Sequence, residues 1–252
     1  MSAFHPLGVV DPTAVQHLNL VGGTRDMCFS VTADLAVGAA LVPVAAVTLR
    51  EVMHWRELPF ALLPAVFAVH QFLEAVVWAG QDGRVSAGAA HLAMIAYLFI
   101  ALPLLPTLVP LAVLLLEPRG ARWRVAIFAL LGAVVSSYLA VVVFAEPVAV
   151  VTHPHALEYQ TGVQHPAVWA VLYIIAVIGP ALLSGYRSIV AFGVVNLVGL
   201  IVVAVLYVEA FASLWCMYAA AASVLVLVHM LRRRRLREPY HGDPLRPGVP
   251  IG

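Results

Sequence analysis

The run Ala68–Gly80, AVHQFLEAVVWAG, places an imidazole, His70, four residues before a carboxylate, Glu74, and sets Trp78 four residues further on. Side chains four apart share one face of an α-helix, so the carboxylate sits one turn from the imidazole with an indole beyond. A carboxylate so placed orients the imidazole, raises its basicity, or joins it as a metal ligand. The competing reading is structural: a buried hydrogen-bonded pair that only locks one helix against its neighbours. Two further ionisable groups, Asp34 and His91, stand in other apolar stretches, and packing alone does not require four. As acid–base chemistry, Glu74 is the proton donor or acceptor, His70 its partner, and Asp34 a third catalytic group. As metal chemistry, His70, His91 and Glu74 would hold a divalent ion such as zinc, with Asp34 nearby. Haem, on His70 and His91, is the weaker cofactor reading. Trp78, Tyr138, Tyr173 and Trp215 are the aromatic candidates for lining a substrate site.

A second concentration lies in Val148–Pro166, VAVVTHPHALEYQTGVQHP, where His153, His155, Glu158 and His165 fall close together. Zinc takes three or four ligands in a tetrahedron, and an H-x-H pair without an HExxH or CxxC frame is a weak metal motif. The plain reading is a solvated loop. The sharper one is a cap that folds over the helix-borne groups and adds a ligand from His153 or His155. Val148–Thr152 reads as a short strand or lid rather than a helix.

The elements that must position these groups are membrane helices. Of 252 residues, 63% are hydrophobic and 11% charged, against about 25% charged in an ordinary soluble domain. That composition excludes a soluble domain, a disordered chain and a disulfide scaffold. It also excludes a nucleic-acid binder, because the arginines crowd the C-terminus rather than forming a basic face. All 14 basic residues are arginine, so a retinal protein, which needs a membrane lysine for its Schiff base, is excluded too. The fold class is all-α, a polytopic bundle of seven transmembrane helices. A bilayer core needs about 20 apolar residues per helix, and spans are predicted near 30–49, 58–80, 86–116, 125–145, 167–185, 188–208 and 211–231. The third carries Pro103, Pro106 and Pro110 and should kink or break.

Seven spans also sort the loop charges. Twelve arginines, from Arg50 and Arg56 to the Arg232–Arg235 run and beyond, fall on one side; only Arg25 and Arg84 fall on the other. Basic loops stay in the cytoplasm, which puts the N-terminus outside, the C-terminus inside and the protein in the cell membrane as a multi-pass chain. Dividing the third span in two would spoil this pattern. Residues 1–26 read as an outer tail or an upstream extension ahead of Met27, residues 27–237 as the membrane domain, and 238–252 as a disordered tail. The arginine run anchors topology and attracts anionic lipid. Cys28 and Cys216 both map to the outer half, as two free thiols by default or as a disulfide.

Ionisable groups inside a bilayer are expensive and mark functional sites. At 1.5 Å per residue, Asp34, His70, Glu74, His91, Tyr138, Tyr173 and Cys216 all fall roughly 6–15 Å below the outer surface. The inner half offers little beyond Asn196. From this asymmetry the expected function is a membrane enzyme acting on a lipid or isoprenoid-like substrate, as hydrolase or cyclase. The alternatives are a proton-coupled transporter or channel, and a non-catalytic sensor or assembly component. The partners expected are the bilayer and a hydrophobic small molecule.

The runs MCFSVTADLAVGAAL (Met27–Leu41), RELPFALLPAVFAVHQFLEAVVW (Arg56–Trp78), AYLFIALPLLPTLVPLAVLLLEP (Ala96–Pro118) and FASLWCMYAAAAS (Phe211–Ser223) resemble an uncharacterised bacterial family of seven-span integral membrane proteins. The resemblance implies a membrane bundle and carries no activity. Known seven-helix zinc hydrolases place a paired H-x-x-x-H on their last helix, which this chain lacks; membrane terpene cyclases are similar only in pairing acidic groups with aromatic ones.

Overall fold

In a computed structural model, the described residues are 31–118, 120, 122–153, 156–206 and 218–236. Most of them are helical. Helix α1 runs Val31–Arg50. A 3₁₀ turn, Trp55–Glu57, and a helical turn, Leu58–Ala61, lead into α2, Leu63–Gln81. Ser86 caps α3, Ala87–Phe99, by accepting the Ala89 N–H. A π-turn, Ile100–Leu104, then carries the chain into α4, Leu105–Leu116. Next come α5, Arg122–Ala145, and a hairpin of β1, Ala149–His153, and β2, Ala156–Gln160. Helix α6, Pro166–Leu182, α7, Arg187–Leu206, and α8, Val224–Leu236, complete the described chain.

Among the described residues, four stretches are long and apolar enough to cross a membrane: Val31–Arg50, Trp55–Gln81, Ala87–Leu116 and Arg122–Ala145. Pro166–Leu182 and Arg187–Val203 are apolar but shorter. The seventh predicted span falls partly on residues 207–217, outside the described ones. The bundle's exterior is greasy. On α5 the residues Trp123, Ile127, Leu130, Val134, Val141 and Phe144 are each more than half exposed. A contiguous apolar surface of that kind is rare on soluble proteins and suits hydrocarbon surroundings.

The third predicted span bends without breaking. Pro103 has no N–H to donate and crowds the preceding turn, and the helix accommodates it by widening into the π-turn. The carbonyls this loosens are taken by neighbours: Tyr173 of α6 donates its hydroxyl to the Ala101 oxygen at 2.6 Å, and Ser136 of α5 donates to the Pro103 oxygen. Helix α5 comes very near at this level, since a Cβ on Gly132 would strike the Pro106 carbonyl.

The hairpin is the departure from an all-helical fold. Its strands pair antiparallel with Val151 opposite Glu158 and Val150 opposite Tyr159. Alternation turns Leu157 and Tyr159 to one face, where they pack with Trp78, Tyr97, Leu98 and Val143 in an apolar cluster separate from the main core. The hairpin therefore covers the end of the bundle where α2 finishes and α3 begins. The opposite end carries the arginine-bearing loops.

Candidate functional site

Helices α1 and α2 pack along most of their length, brought close by Gly38, whose added Cβ would lie 2.8 Å from the Phe72 ring. This contact turns Asp34 of α1 inward, 2% exposed, close enough to Glu74 of α2 for the two carboxyls to feel each other's charge. On α2 the inward face carries His70, Gln71 and Glu74, all with no exposed surface, and Trp78 at 2%. Across from them stands Tyr97 of α3. Its ring stacks on His70 with centroids 3.9 Å apart, and Tyr159 of β2 stacks on Tyr97 at 4.5 Å. Two helices and the hairpin thus build one column, His70–Tyr97–Tyr159, and α1 adds Asp34 beside it.

Several polar atoms in this cluster have no hydrogen-bond partner among the described residues: Asp34 Oδ2, both amide atoms of Gln71 and the Trp78 Nε1. A buried polar group left without a hydrogen bond costs about 1–3 kcal/mol, and native proteins hold few of them. Buried atoms without a hydrogen-bond partner occur at the arginine-bearing end too, on Glu117 Oε2 and His229 Nε2, but here they accompany a carboxyl-bearing face with no exposed surface.

The other predicted residues are placed differently. His91 is exposed on α3. Tyr173, 8% exposed, is engaged with the Ala101 carbonyl. Tyr138 stacks flat on Trp169 at 3.9 Å and its hydroxyl accepts the Gln164 N–H at 3.0 Å, fastening the hairpin's return to α6. His153 ends β1 opposite Ala156. His155, Trp215, Cys28 and Cys216 lie outside the described residues. Among the described residues no group of three or more His, Cys, Asp or Glu side chains is arranged to hold a metal ion.

The sequence passed over Gln71, Tyr97 and Tyr159. Gln71 was visible in principle, being one residue from His70 and three before Glu74 on an entirely buried face. Tyr97 and Tyr159 were not, because only the tertiary fold stacks them on His70.

The expectation that the arginine-bearing end lacks buried polar groups is corrected. Arg233 of α8 and Glu57 form an ion pair at 3.1 Å with side chains 9% and 7% exposed. The other Glu57 oxygen, Oε2, accepts the Met53 N–H at 2.8 Å. Arg233 also lies over the Tyr186 ring, 5.6 Å from its centre. His229, one turn before Arg233, shares a hydrogen bond with Ser188 at 2.6 Å. Glu117, fully buried, accepts the Ser184 hydroxyl at 2.6 Å and the Gly185 N–H at 2.9 Å. The sequence reading missed these because Glu57 and Glu117 sit at span boundaries, where an exposed side chain is the ordinary case.

A family model described as a family of unknown function, DUF6629, matches residues 27–241. The chain belongs to this family. The match contains every described residue of this DUF6629 member, the polar cluster and the arginine-bearing end alike. No curated protein and no solved structure matches the chain.

Proposed function

We propose that this protein is a seven-span membrane enzyme, N-terminus outside and C-terminus cytoplasmic, performing acid–base chemistry on a lipid or isoprenoid-like substrate at the Asp34–His70–Glu74 cluster. The observation that carries the reading is the set of buried, unbonded polar atoms on Asp34, Gln71 and Trp78, gathered beside His70 and Glu74 in apolar surroundings. A substrate head group entering there satisfies them. Its apolar remainder suits the greasy walls supplied by Val77, Leu98 and Val143. Glu74 moves the proton, His70 is held against Tyr97 as its partner, and Asp34 sets the local charge. A carboxyl in low dielectric retains a proton more readily than one in water, which suits it to proton transfer near neutral pH.

The test uses full-length protein in lipid nanodiscs, challenged with a panel of phospholipids and isoprenoid alcohols and diphosphates, products being read by mass spectrometry. Wild type converts one class; Glu74→Gln lowers turnover by about 10²-fold or more, while an unchanged melting temperature shows the fold intact. A wild type inert toward the whole panel, or a Glu74→Gln as active as wild type, refutes the proposal.

A second reading, a proton-coupled carrier, is favoured by the buried Glu57–Arg233 and His229–Ser188 groups at the opposite end, since transport needs polar steps near both faces. Proteoliposome uptake abolished by both Glu74→Gln and Glu57→Gln, without product formation, would select it.

A further inference from the structure

We infer that the β1–β2 hairpin is a hinged lid whose Tyr159 closes the polar pocket by stacking on Tyr97, and that ligands of the pocket enter when it lifts. The inference rests on the pocket being a ligand site, as proposed above, and deepens that reading by naming its entrance.

Closure is complete in the structure. His70, Gln71 and Glu74 have no exposed surface, so nothing reaches them without a movement. The cover is attached mainly by apolar and ring contacts, through Leu157 and Tyr159, together with a long Thr152–Gln81 hydrogen bond of 3.4 Å. Such contacts part and re-form without leaving charges stranded. The flanks of the hairpin differ in kind from its covering face. On the return to α6, His165 is held in the left-handed region at φ 53°, a conformation that costs a non-glycine residue roughly 1–2 kcal/mol. Strain of this sort clusters in ligand clamps and switch segments. Gly162, three residues earlier, packs its backbone on the Glu146 side chain at 3.1 Å from an added Cβ, bringing the two ends of the loop together. Between them, the Tyr138–Trp169 stack and the Gln164 N–H bond to the Tyr138 hydroxyl hold the base still, so the movement is confined to the hairpin itself.

Movement is read by thiol accessibility. Ala75, buried beside Glu74, is changed to Cys in full-length protein whose Cys28 and Cys216 are replaced by Ser. A charged methanethiosulfonate then labels this thiol in nanodiscs, where both faces are open to the reagent. Tyr159→Ala raises the labelling rate about five- to tenfold, the worth of one aromatic stack, whereas Tyr159→Phe, which keeps the stack, leaves it near the wild-type rate. A zinc bridge between Thr152→His and Gln81→His slows labelling by at least the same factor, and a chelator restores it. This bridge keeps the test decisive should Tyr159→Ala fail to fold. Labelling that is indifferent to the bridge, or equally fast in Tyr159→Ala and Tyr159→Phe, overturns the lid. The readout needs no turnover: a lid-insensitive thiol with an active Glu74 sinks the lid alone, and a lid-gated thiol with an inert Glu74 sinks the enzyme alone.

Discussion

Gln71 is the most informative single residue, because its amide has neither exposed surface nor a hydrogen-bond partner among the described residues. A purely structural position would favour leucine there. Gln71→Leu is therefore expected to stabilise the resting protein by about 1–2 kcal/mol while weakening the substrate it helps to hold, seen as a higher melting temperature with a raised KM. A loss of stability instead would mean the amide is satisfied in place and the pocket is ordinary core. Arg233 gives the opposite case. Removing it as Arg233→Met leaves Glu57 buried beside an apolar chain, which costs about 3–5 kcal/mol. The double variant Glu57→Gln/Arg233→Met should recover most of that loss in a denaturation titration, since the pair's own net worth is small. His70 and Glu74 were legible in the sequence because a four-residue interval means one thing in a helix. Their neighbours Tyr97 and Tyr159 were not, since 62 positions separate one from the other (159 less 97), and no local pattern relates them.

Among the elements, the α3–π-turn–α4 segment shows how a proline-rich span survives. Three prolines forecast a kink, and the structure gives a wide turn whose loosened carbonyls are captured by Tyr173 and Ser136 from two other helices. Those partners were beyond reach of the sequence, which instead assigned Tyr173 to the substrate. The closeness of α5 here yields a sharp expectation. Gly132→Val must push α5 off the Pro106 carbonyl and should cost roughly 1–3 kcal/mol, read as a lowered melting temperature, while Ala133→Val on the exposed face of the same turn should cost almost nothing. In the hairpin the first strand was readable from Val148–Thr152, whereas its partner Ala156–Gln160 was not. The hairpin brings Tyr159 onto Tyr97, where the sequence suggested a histidine. His165→Gly, which relieves the left-handed backbone, is expected to gain about 1 kcal/mol in thermal stability, read as a raised melting temperature.

For the molecule as a whole, the two ends of the bundle are chemically distinct: a buried polar cluster beside a hairpin, and a set of buried ion-paired and hydrogen-bonded groups among arginine-bearing loops. On the proposed topology, in which the arginine-bearing end is cytoplasmic, a reporter fused after Leu236 should be active inside the cell, and one inserted at Arg84 outside. The reverse result would put the pocket at the cytoplasmic face and oblige any lipid substrate to enter from the inner leaflet. Composition and hydropathy alone determined that this is a helical, membrane-compatible chain, where its first helices lie, and which helix carries an imidazole–carboxylate pair. They suffice because the cost of placing polar groups in hydrocarbon acts on each segment separately. Only the tertiary structure decided that Asp34 is buried, that Tyr97 stacks on His70 and Tyr159 on Tyr97, that His91 is exposed, and that Glu57, Arg233 and His229 are buried. Those outcomes depend on which helices become neighbours, and packing between distant segments leaves no periodic trace in the order of residues along the chain.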